Sequence, residues 1–225
     1  MNKLNHVAFI MDGNGRWGKK KNNNRNSGHF AGVQTVKKIV EASIKLKIPT
    51  VTFYVFSTEN WKRPKTEINF LFSLIKSYFN KEIKSVMKNK IKINILGNLK
   101  KLPKDLIKNL KEIGQVTKKN KNITINLAIN YGSKDEIKNS VVDLLKKRQK
   151  LTERNIEKNL YTKDLPMPDI LVRTGGKNRL SNFMLWQLAY SEIYFVKKLW
   201  PDFNDNDLRK IIENFKDIKR NFGRI

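Results

Sequence analysis

The sequence predicts an α/β fold in which short buried strands alternate with longer amphipathic helices. Runs rich in Val, Ile, Phe and Tyr have the length of strands and lie at residues 6–11, 50–56, 92–96, 123–130 and 170–172, with a sixth candidate at 193–196. Stretches of helical periodicity lie at residues 30–47, 67–89, 103–119, 134–150 and 204–219. This alternation favours right-handed βαβ units and a parallel sheet.

The first helical stretch shows the pattern on which these assignments rest. Val33, Val36, Val40 and Ile44 recur at three- and four-residue spacing and mark one apolar face. No linker, repeat or low-complexity segment divides the chain, so we expect one domain over residues 1–225. At 225 residues such a domain buries most of its apolar surface without a disulfide or metal to stabilise it.

Composition excludes several classes of function. The chain has no cysteine, which rules out thiolate catalysis, cysteine-ligated zinc and disulfides. It has only two histidines, His6 and His29, which disfavours a histidine-based metal site. The apolar run from Val7 to Met11 is too short for a signal peptide, and no window approaches the ~20 residues of a membrane span. We therefore expect a soluble, cytoplasmic protein.

The formal net charge of +27 has two interpretations. A basic protein attracts nucleic acid through its phosphates, and a salt-dependent shift of RNA would support that function. However, lysines are spread along the whole chain without a basic arm or tail, as an AT-rich genome would produce. We favour this compositional explanation and expect no nucleic-acid partner, although the field would still attract polyanionic substrates and anionic membranes.

Polar residues follow the first strand at the edge where parallel sheets bind ligands. The segment is DGNGRW, from Asp12 to Trp17. Its two glycines allow backbone N–H groups to approach an anion, and Arg16 adds a forked donor for phosphate oxygens. Asp12 is suited to hold Mg²⁺ jointly with a diphosphate. A plain turn is the alternative; a calcium loop fails because its further acidic ligands are missing.

Two further strand ends carry similar chemistry. The segment STENWKR follows the second strand, although Glu59 there would serve equally to complete a capping box. The segment RTGGKNRLS follows the fifth strand and supplies two arginines, two glycines and a serine for an oxyanion. Arg25 and His29 lie near the expected start of the first helix, where an anion is favoured. Glu192, a lone acid in an apolar run, requires a partner or a function.

The motifs together resemble those of the cis-prenyltransferase family, that is, of enzymes like undecaprenyl diphosphate synthase. The matching segments, in family order, are HVAFIMDGNGRWGKK, R..GH..G, FYVFSTENWKRP, INLAINYG, DILVRTGGKNRLSNFMLWQLAYSEIYF, LWPDF and RNFG. The resemblance implies a homodimer in which each chain has a six-stranded, mostly parallel sheet flanked by helices and enclosing a hydrophobic tunnel. It also implies dependence on Mg²⁺.

The resemblance assigns a role to each site residue. Asp12 is implied to be catalytic and a Mg²⁺ ligand, Asn60 matches the position assigned to proton removal, and Glu192 matches a Mg²⁺-associated position from the partner subunit. The residues expected to bind the allylic diphosphate are Gly13, Asn14, Gly15, Arg16, Trp17, Arg25 and His29. Those expected around isopentenyl diphosphate are Ser57, Thr58, Glu59, Trp61, Arg63, Arg173, Arg179, Leu180 and Ser181.

The implied reaction extends an allylic diphosphate, such as farnesyl diphosphate, with isopentenyl diphosphate. A bacterial-type motif set favours an undecaprenyl product for cell-wall lipid carrier, with peripheral association at the inner face of the membrane through that product. A short-chain Z-prenyl synthase is the alternative, because sequence does not report tunnel volume. Three residues depart from the family pattern: Lys177, Asn178 and Asn221, the last leaving Arg220 or Arg224 to replace a C-terminal arginine.

Overall fold

The computed structural model describes residues 2–220 and places six parallel strands in one sheet. The strands are β1 (His6–Ile10), β2 (Thr50–Ser57), β3 (Ile91–Leu96), β4 (Ile123–Tyr131), β5 (Ile170–Arg173) and β6 (Glu192–Phe195). Their order across the sheet is β3-β4-β2-β1-β5-β6, and every neighbouring pair is parallel. The predicted α/β class and six-stranded sheet are confirmed. The first and last residue of each strand lie within about two residues of the predicted limits.

The helices of residues 2–220 cover both faces of the sheet. They are α1 (Asn14–Asn22), α2 (Arg25–Lys45), α3 (Lys65–Lys88), α4 (Lys104–Thr117), α5 (Ser133–Lys146), α6 (Glu153–Glu157) and α7 (Asp205–Asp217). Short 3₁₀ helices lie at Thr58–Lys62, Leu99–Lys101 and Trp200–Asp202. The prediction missed α6, and it started the first long helix at residue 30, whereas α2 begins at Arg25 after the N-cap Asn24.

Helix α1 was not among the predicted helical stretches, which is a correction to the sequence analysis. Its sequence NGRWGKKKN has two glycines, three lysines and no apolar periodicity, so propensity alone gives no helix. Tertiary packing stabilises it instead. Gly18 of α1 lies against Gly28 of α2, and a Cβ at Gly28 would stand 1.8 Å from the carbonyl oxygen of Asn14. Only glycine allows the two helices to approach this closely.

Two apolar clusters fill the space on the two sides of the sheet. The larger one joins β-strand residues such as Val7, Phe9 and Phe53 to α2, α3, α4 and α7. Trp200 is fully buried there, and its indole N–H donates to the carbonyl of Gly32 at 2.8 Å. The smaller cluster packs Ala8, Ile10 and Leu171 against the segment that contains Phe183, Met184 and Leu188. The sheet is therefore buried on both faces, as parallel sheets require.

A ladder of polar side chains crosses four strands inside the sheet. His6 Nδ1 donates to the carbonyl of Pro166, and its Nε2 accepts the hydroxyl of Thr52, both at 2.7 Å. The Thr52 oxygen accepts from Asn126 at 2.9 Å, and the Asn126 oxygen accepts from Asn94 at 3.0 Å. Because each group has a partner, burying these side chains costs little, and the ladder fixes the register of β1, β2, β4 and β3.

An apolar cavity of about 160 Å³ lies between the sheet and the helices α2 and α3. Its walls include Val36 and Val40 of α2, Ile75 and Phe79 of α3, and the strand residue Ile125. The resemblance implies a hydrophobic tunnel; that this cavity belongs to one and holds a prenyl chain stays a prediction. No helix within residues 2–220 is long and apolar enough to cross a membrane.

Burial of His6 makes the stability of the fold dependent on pH. Burial lowers the pKa of His6 from 6.5 to about 4. Between these values the unfolded chain binds a proton that the folded chain does not, so the free energy of unfolding falls as the pH falls. Going from pH 7.5 to 5.0, the native protein should lose about 2 kcal/mol more than a His6→Gln variant. Urea unfolding at both pH values measures this difference, and equal losses would refute it.

Candidate active site

A polar cavity of about 610 Å³ opens at the carboxyl edge of the sheet, beside the ends of β1, β2 and β5. It brings together fourteen residues expected from the sequence: Asp12, Gly13, Asn14, Gly15, Arg16, Arg25, His29, Ser57, Glu59, Asn60, Arg63, Arg173, Arg179 and Ser181. Met11, Asn14, His29, Val55 and Leu71 also line the apolar cavity, so the two cavities adjoin. A charged chamber thus meets an apolar one.

Asp12 lies just beyond β1, and its carboxylate is held between two arginines. Arg173 donates to one oxygen at 2.9 Å and Arg16 to the other at 3.2 Å. The backbone carbonyl of Asp12 accepts from the Thr174 hydroxyl at 2.8 Å and from the backbone N–H of Trp200 at 3.0 Å. The main chain is therefore fixed from two sides, while the side chain stays 27% exposed toward the cavity.

The N-terminus of α1 has the features of an anion-binding site. Gly13 precedes the helix with a φ of 112°, and a Cβ there would lie 2.8 Å from Leu199, so the position requires glycine. The first N–H groups of a helix have no partner within the helix, and the helix dipole makes this end electropositive. A phosphate oxygen is the ligand that such an end binds.

Glu67 joins three of the expected phosphate-binding side chains, and the sequence analysis missed it. Its carboxylate is only 8% exposed and accepts from Arg25 at 3.1 and 3.2 Å, from His29 Nε2 at 3.2 Å and from Arg63 at 3.1 Å. Burial opposes ionisation of Glu67, but hydrogen bonds and charge from Arg25 and Arg63 outweigh it and lower its pKa. Burial lowers the pKa of His29, so this imidazole is neutral at pH 7.

The end of β2 is organised by Asn60. The backbone N–H of Ser57 donates to Asn60 Oδ1 at 3.2 Å in a capping box, so Asn60, rather than Glu59 as we considered, completes the box. A backbone N–H fixes the acceptor as the oxygen, and the NH₂ of Asn60 then serves as a donor.

Glu59 accepts from Asn182, a cavity residue that the sequence analysis missed, at 2.8 Å. Burial opposes ionisation of Glu59, but the hydrogen bonds from Asn182, its own backbone and Ser57 prevail and lower its pKa.

Arg173 is the centre of a second group of donors suited to an anion, and it is the last residue of β5 rather than the first after it. It is 3% exposed, and it donates to the Ser181 hydroxyl at 2.7 Å and to the carbonyl of Arg179. Its Nε is buried without a hydrogen-bond partner. A buried guanidinium with an unused donor at a cavity wall is suited to an oxyanion.

Five expected residues lie outside the lining of this cavity: Trp17, Thr58, Trp61, Leu180 and Glu192. The Trp17 indole donates to Asp202 at 2.7 Å, the Thr58 hydroxyl faces Gly132, and Leu180 packs at the rim of the smaller apolar cluster. The Trp61 indole donates to Asn130 at 2.7 Å while its ring packs against Phe56 and Phe72.

Glu192 starts β6 opposite Ile170, at the amino edge of the sheet, whereas Asp12 lies at the carboxyl edge. Its carboxylate is 3.7 Å from Arg220 of the same chain, which also pairs with Asp169. A contribution of Glu192 from a partner subunit stays a prediction. The departing residues Lys177 and Asn178 are exposed, whereas Asn221 and Arg224 lie outside the described residues.

Comparison with known proteins decides the family. The sequence model of the family described as "Putative undecaprenyl diphosphate synthase" matches residues 10–223. An isoprenyl transferase of Fusobacterium nucleatum is 43% identical over 219 residues, which are 97% of this chain and 95% of that protein. The chain belongs to the undecaprenyl diphosphate synthase family of prenyltransferases. The resemblance drawn from the motifs is therefore confirmed, and the protein is an enzyme of the transferase class.

Solved structures of two other proteins share the prenyltransferase fold. A probable undecaprenyl diphosphate synthase from Campylobacter jejuni has a TM-score of 0.85 at 35% identity, with all of both chains covered. A lavandulyl diphosphate synthase from Lavandula x intermedia, in complex with dimethylallyl diphosphate, has a TM-score of 0.92 at 30% identity, with 98% of both chains covered. The fold is thus common to prenyltransferases with differently named products.

The donor set at this prenyltransferase's cavity fits Mg²⁺ only if the metal binds together with a substrate. Nowhere in residues 2–220 do three His, Asp or Glu side chains gather as a metal cage. Two carboxylates line the cavity, Asp12 and Glu59, and Asp12 lies between the N-terminus of α1 and the donors around Arg173. Mg²⁺ commonly binds through one or two carboxylates plus substrate phosphates, retaining several waters. The residues present therefore fit a shared protein–diphosphate site.

Loss of Arg173 should weaken diphosphate binding far more than loss of a nearby exposed cation. A hydrogen bond from a charged group contributes about 1.5–3 kcal/mol, so Arg173→Gln should raise the Kd for inorganic diphosphate by about tenfold to a hundredfold. The matched control is Lys177→Gln, in the same loop but exposed, with a change below about threefold. Calorimetric titration with diphosphate and MgCl₂ measures both constants. Equal, small effects of the two variants would show that Arg173 does not face the anion.

Proposed function

We propose that this enzyme carries out Mg²⁺-dependent cis prenyl transfer, condensing isopentenyl diphosphate repeatedly with an allylic diphosphate such as farnesyl diphosphate. The product is a long-chain polyprenyl diphosphate, undecaprenyl diphosphate, which supplies the lipid carrier for cell-wall glycans. One observation carries this proposal: the Asp12 carboxylate lies between two sites suited to anions at the entrance of an apolar cavity. Two diphosphates and one hydrocarbon tail match these three features.

The allylic diphosphate binds at the N-terminus of α1. Backbone donors of Gly13, Asn14 and Gly15 face it, and Arg16, Arg25 and His29 supply the side chains around it. Trp17 supports this loop from outside through its hydrogen bond to Asp202. The tail then enters the apolar cavity, because Asn14 and His29 line both chambers.

Isopentenyl diphosphate binds at the second of these sites, opposite the first. Arg173, Arg179 and Ser181 contact its phosphates, and the hydrogen bond to Ser181 fixes the Arg173 guanidinium at this wall. Ser57, Thr58, Glu59 and Asn60 organise its reacting end, while Trp61, Arg63 and Leu180 complete the wall. Arg173 is only 3% exposed at this wall, so a phosphate bound to it would be shielded from water and the charged contact strengthened.

Asp12 would hold Mg²⁺ together with a bound diphosphate. Bound there, the metal would neutralise phosphate charge and so supply stabilisation for the departing diphosphate. Arg16 and Arg173 occupy the Asp12 carboxylate before substrate binds, and each then gains a phosphate oxygen as a partner. The acid thus keeps two arginines aligned toward the position where negative charge develops.

The reaction follows from this arrangement of charge. The C1–O bond of the allylic substrate breaks, the diphosphate takes the electron pair, and donors at α1 and Arg16 stabilise it. The isopentenyl double bond attacks C1, and a proton leaves C2 to form the Z alkene. Asn60 is a donor here because its oxygen is engaged by Ser57. It therefore orients a diphosphate oxygen, which takes the proton.

The assembled enzyme is a homodimer formed from chains that each make one domain over residues 1–225. The edge strand β6 supports this, since Ile193 and Phe195 are 40% and 41% exposed. Glu192 at the same strand would reach the partner's metal site. We place the enzyme in the cytoplasm, with peripheral membrane association through its apolar product, and infer no nucleic-acid partner.

Removal of the Asp12 carboxylate tests the catalytic centre. Asp12→Ala should lower kcat by about 10³-fold at saturating Mg²⁺, since one preorganised electrostatic group contributes about that much. Transfer of labelled isopentenyl diphosphate to farnesyl diphosphate is the measurement, and Asp105→Asn, an exposed carboxylate on α4 outside the cavity lining, is the control. Undiminished turnover of Asp12→Ala would refute the metal role.

Sizing the product separates the long-chain function from the short-chain alternative. We expect a chain of about eleven isoprene units, whereas one or two additions would identify a short-chain Z-prenyl synthase. The small volume of the apolar cavity, about 160 Å³, is the observation that supports the short-chain alternative. A salt-dependent RNA shift without any prenyl transfer would instead support nucleic-acid binding.

A further inference from the structure

Helices α2 and α3 enclose the apolar cavity. Among the described residues, ionic and hydrogen-bonded contacts join the two helices at two places along their length. Glu67 links α3 to Arg25 and His29 at the charged entrance. Lys37 of α2 and Glu82 of α3 form the second link. We propose that the Lys37–Glu82 ion pair is a latch that restrains separation of α2 and α3 and so limits the length of the prenyl chain. This inference rests on the proposed function.

The geometry of the pair suits a latch. Lys37 Nζ lies 2.9 Å from Glu82 Oε2 and 3.0 Å from Oε1, and the two side chains are 36% and 11% exposed. Its hydrogen bond to Glu82 raises the pKa of Lys37. Lys37 is the cation that the structure places on this nearly buried carboxylate, so separating the two leaves the Glu82 charge without its partner, which is costly. The exposed lysine can rebind after opening, since its flexible stem reaches water.

The latch lies beyond the entrance, along the path of the tail. Leu71 of α3 lines both cavities, and Glu82 follows it by eleven residues, which is about 16 Å of helix. Lys37 and Glu82 both line the apolar cavity, whose walls also include Val40, Tyr78 and Val86. A tail growing inward from Leu71 therefore meets this ion pair on its way.

The volume of the cavity shows why the helices must separate. A dry apolar cavity of about 150 Å³ holds one benzene, which has six carbons. The cavity here is about 160 Å³, which matches roughly one five-carbon isoprene unit. A farnesyl tail has three such units, so binding even the starting substrate widens the space between the sheet, α2 and α3. Each later addition widens it further against the same link.

Variants of the pair test the latch without prenyl transfer. Glu82→Gln and Lys37→Met both remove the ion pair, whereas Lys37→Arg keeps it. The control is Asp105→Asn, which breaks the ion pair between Lys76 of α3 and Asp105 of α4 on the other side of the same helix. We expect the two latch-free variants to bind the apolar fluorophore N-phenyl-1-naphthylamine at least threefold more tightly than the native enzyme, Lys37→Arg and Asp105→Asn. Equal affinities in all five proteins would overturn the latch.

Product length gives the second readout. With farnesyl and isopentenyl diphosphates, Glu82→Gln and Lys37→Met should shift the main product upward by at least one isoprene unit. Lys37→Arg and Asp105→Asn should keep the native length. An unchanged length in both latch-free variants would overturn the role in product length. If the native enzyme forms no prenyl product at all, the proposed function fails, and fluorophore binding alone still decides whether the latch exists.

Discussion

The carboxylate of Asp12 and the two guanidinium groups that hold it are the interaction on which the site depends. Arg16 comes from α1 and Arg173 from the end of β5, so one acid joins the helix to the sheet edge at 3.2 and 2.9 Å. Without that acid, two cations would face each other beside apolar surface, at considerable cost. With it, they are aligned and ready to receive phosphate oxygens.

The surrounding fold fixes this arrangement through backbone contacts. Thr174 and Trp200 hold the Asp12 carbonyl, and the close contact of Gly18 with Gly28 brings the N-terminus of α1 beside α2. Glu67 has a role similar to that of Asp12, because its carboxylate accepts hydrogen bonds from Arg25, Arg63 and His29. Two buried or half-buried acids thus preorganise the cations of a site that binds anions.

The sequence predicted the sheet well because its strands are short apolar runs, and it predicted most cavity residues because they follow the strands. It failed where tertiary contacts decide the local structure. Helix α1 has no apolar periodicity and forms because it packs on α2. Glu67 was missed, since nothing in the sequence shows that Arg25, forty-two positions away, reaches it. Asn182 lies inside a motif that matches the family, and only this position in the motif could have indicated that it lines the site.

Joint binding of metal and diphosphate at Asp12 can be observed directly with Mn²⁺ in place of Mg²⁺. We expect ³¹P coupling in the electron–nuclear double resonance spectrum of bound Mn²⁺ when inorganic diphosphate is added to the native enzyme. The same coupling should be lost in an Asp12→Asn variant that still binds diphosphate through its arginines. Retention of the coupling in Asp12→Asn would contradict a metal held between Asp12 and the substrate.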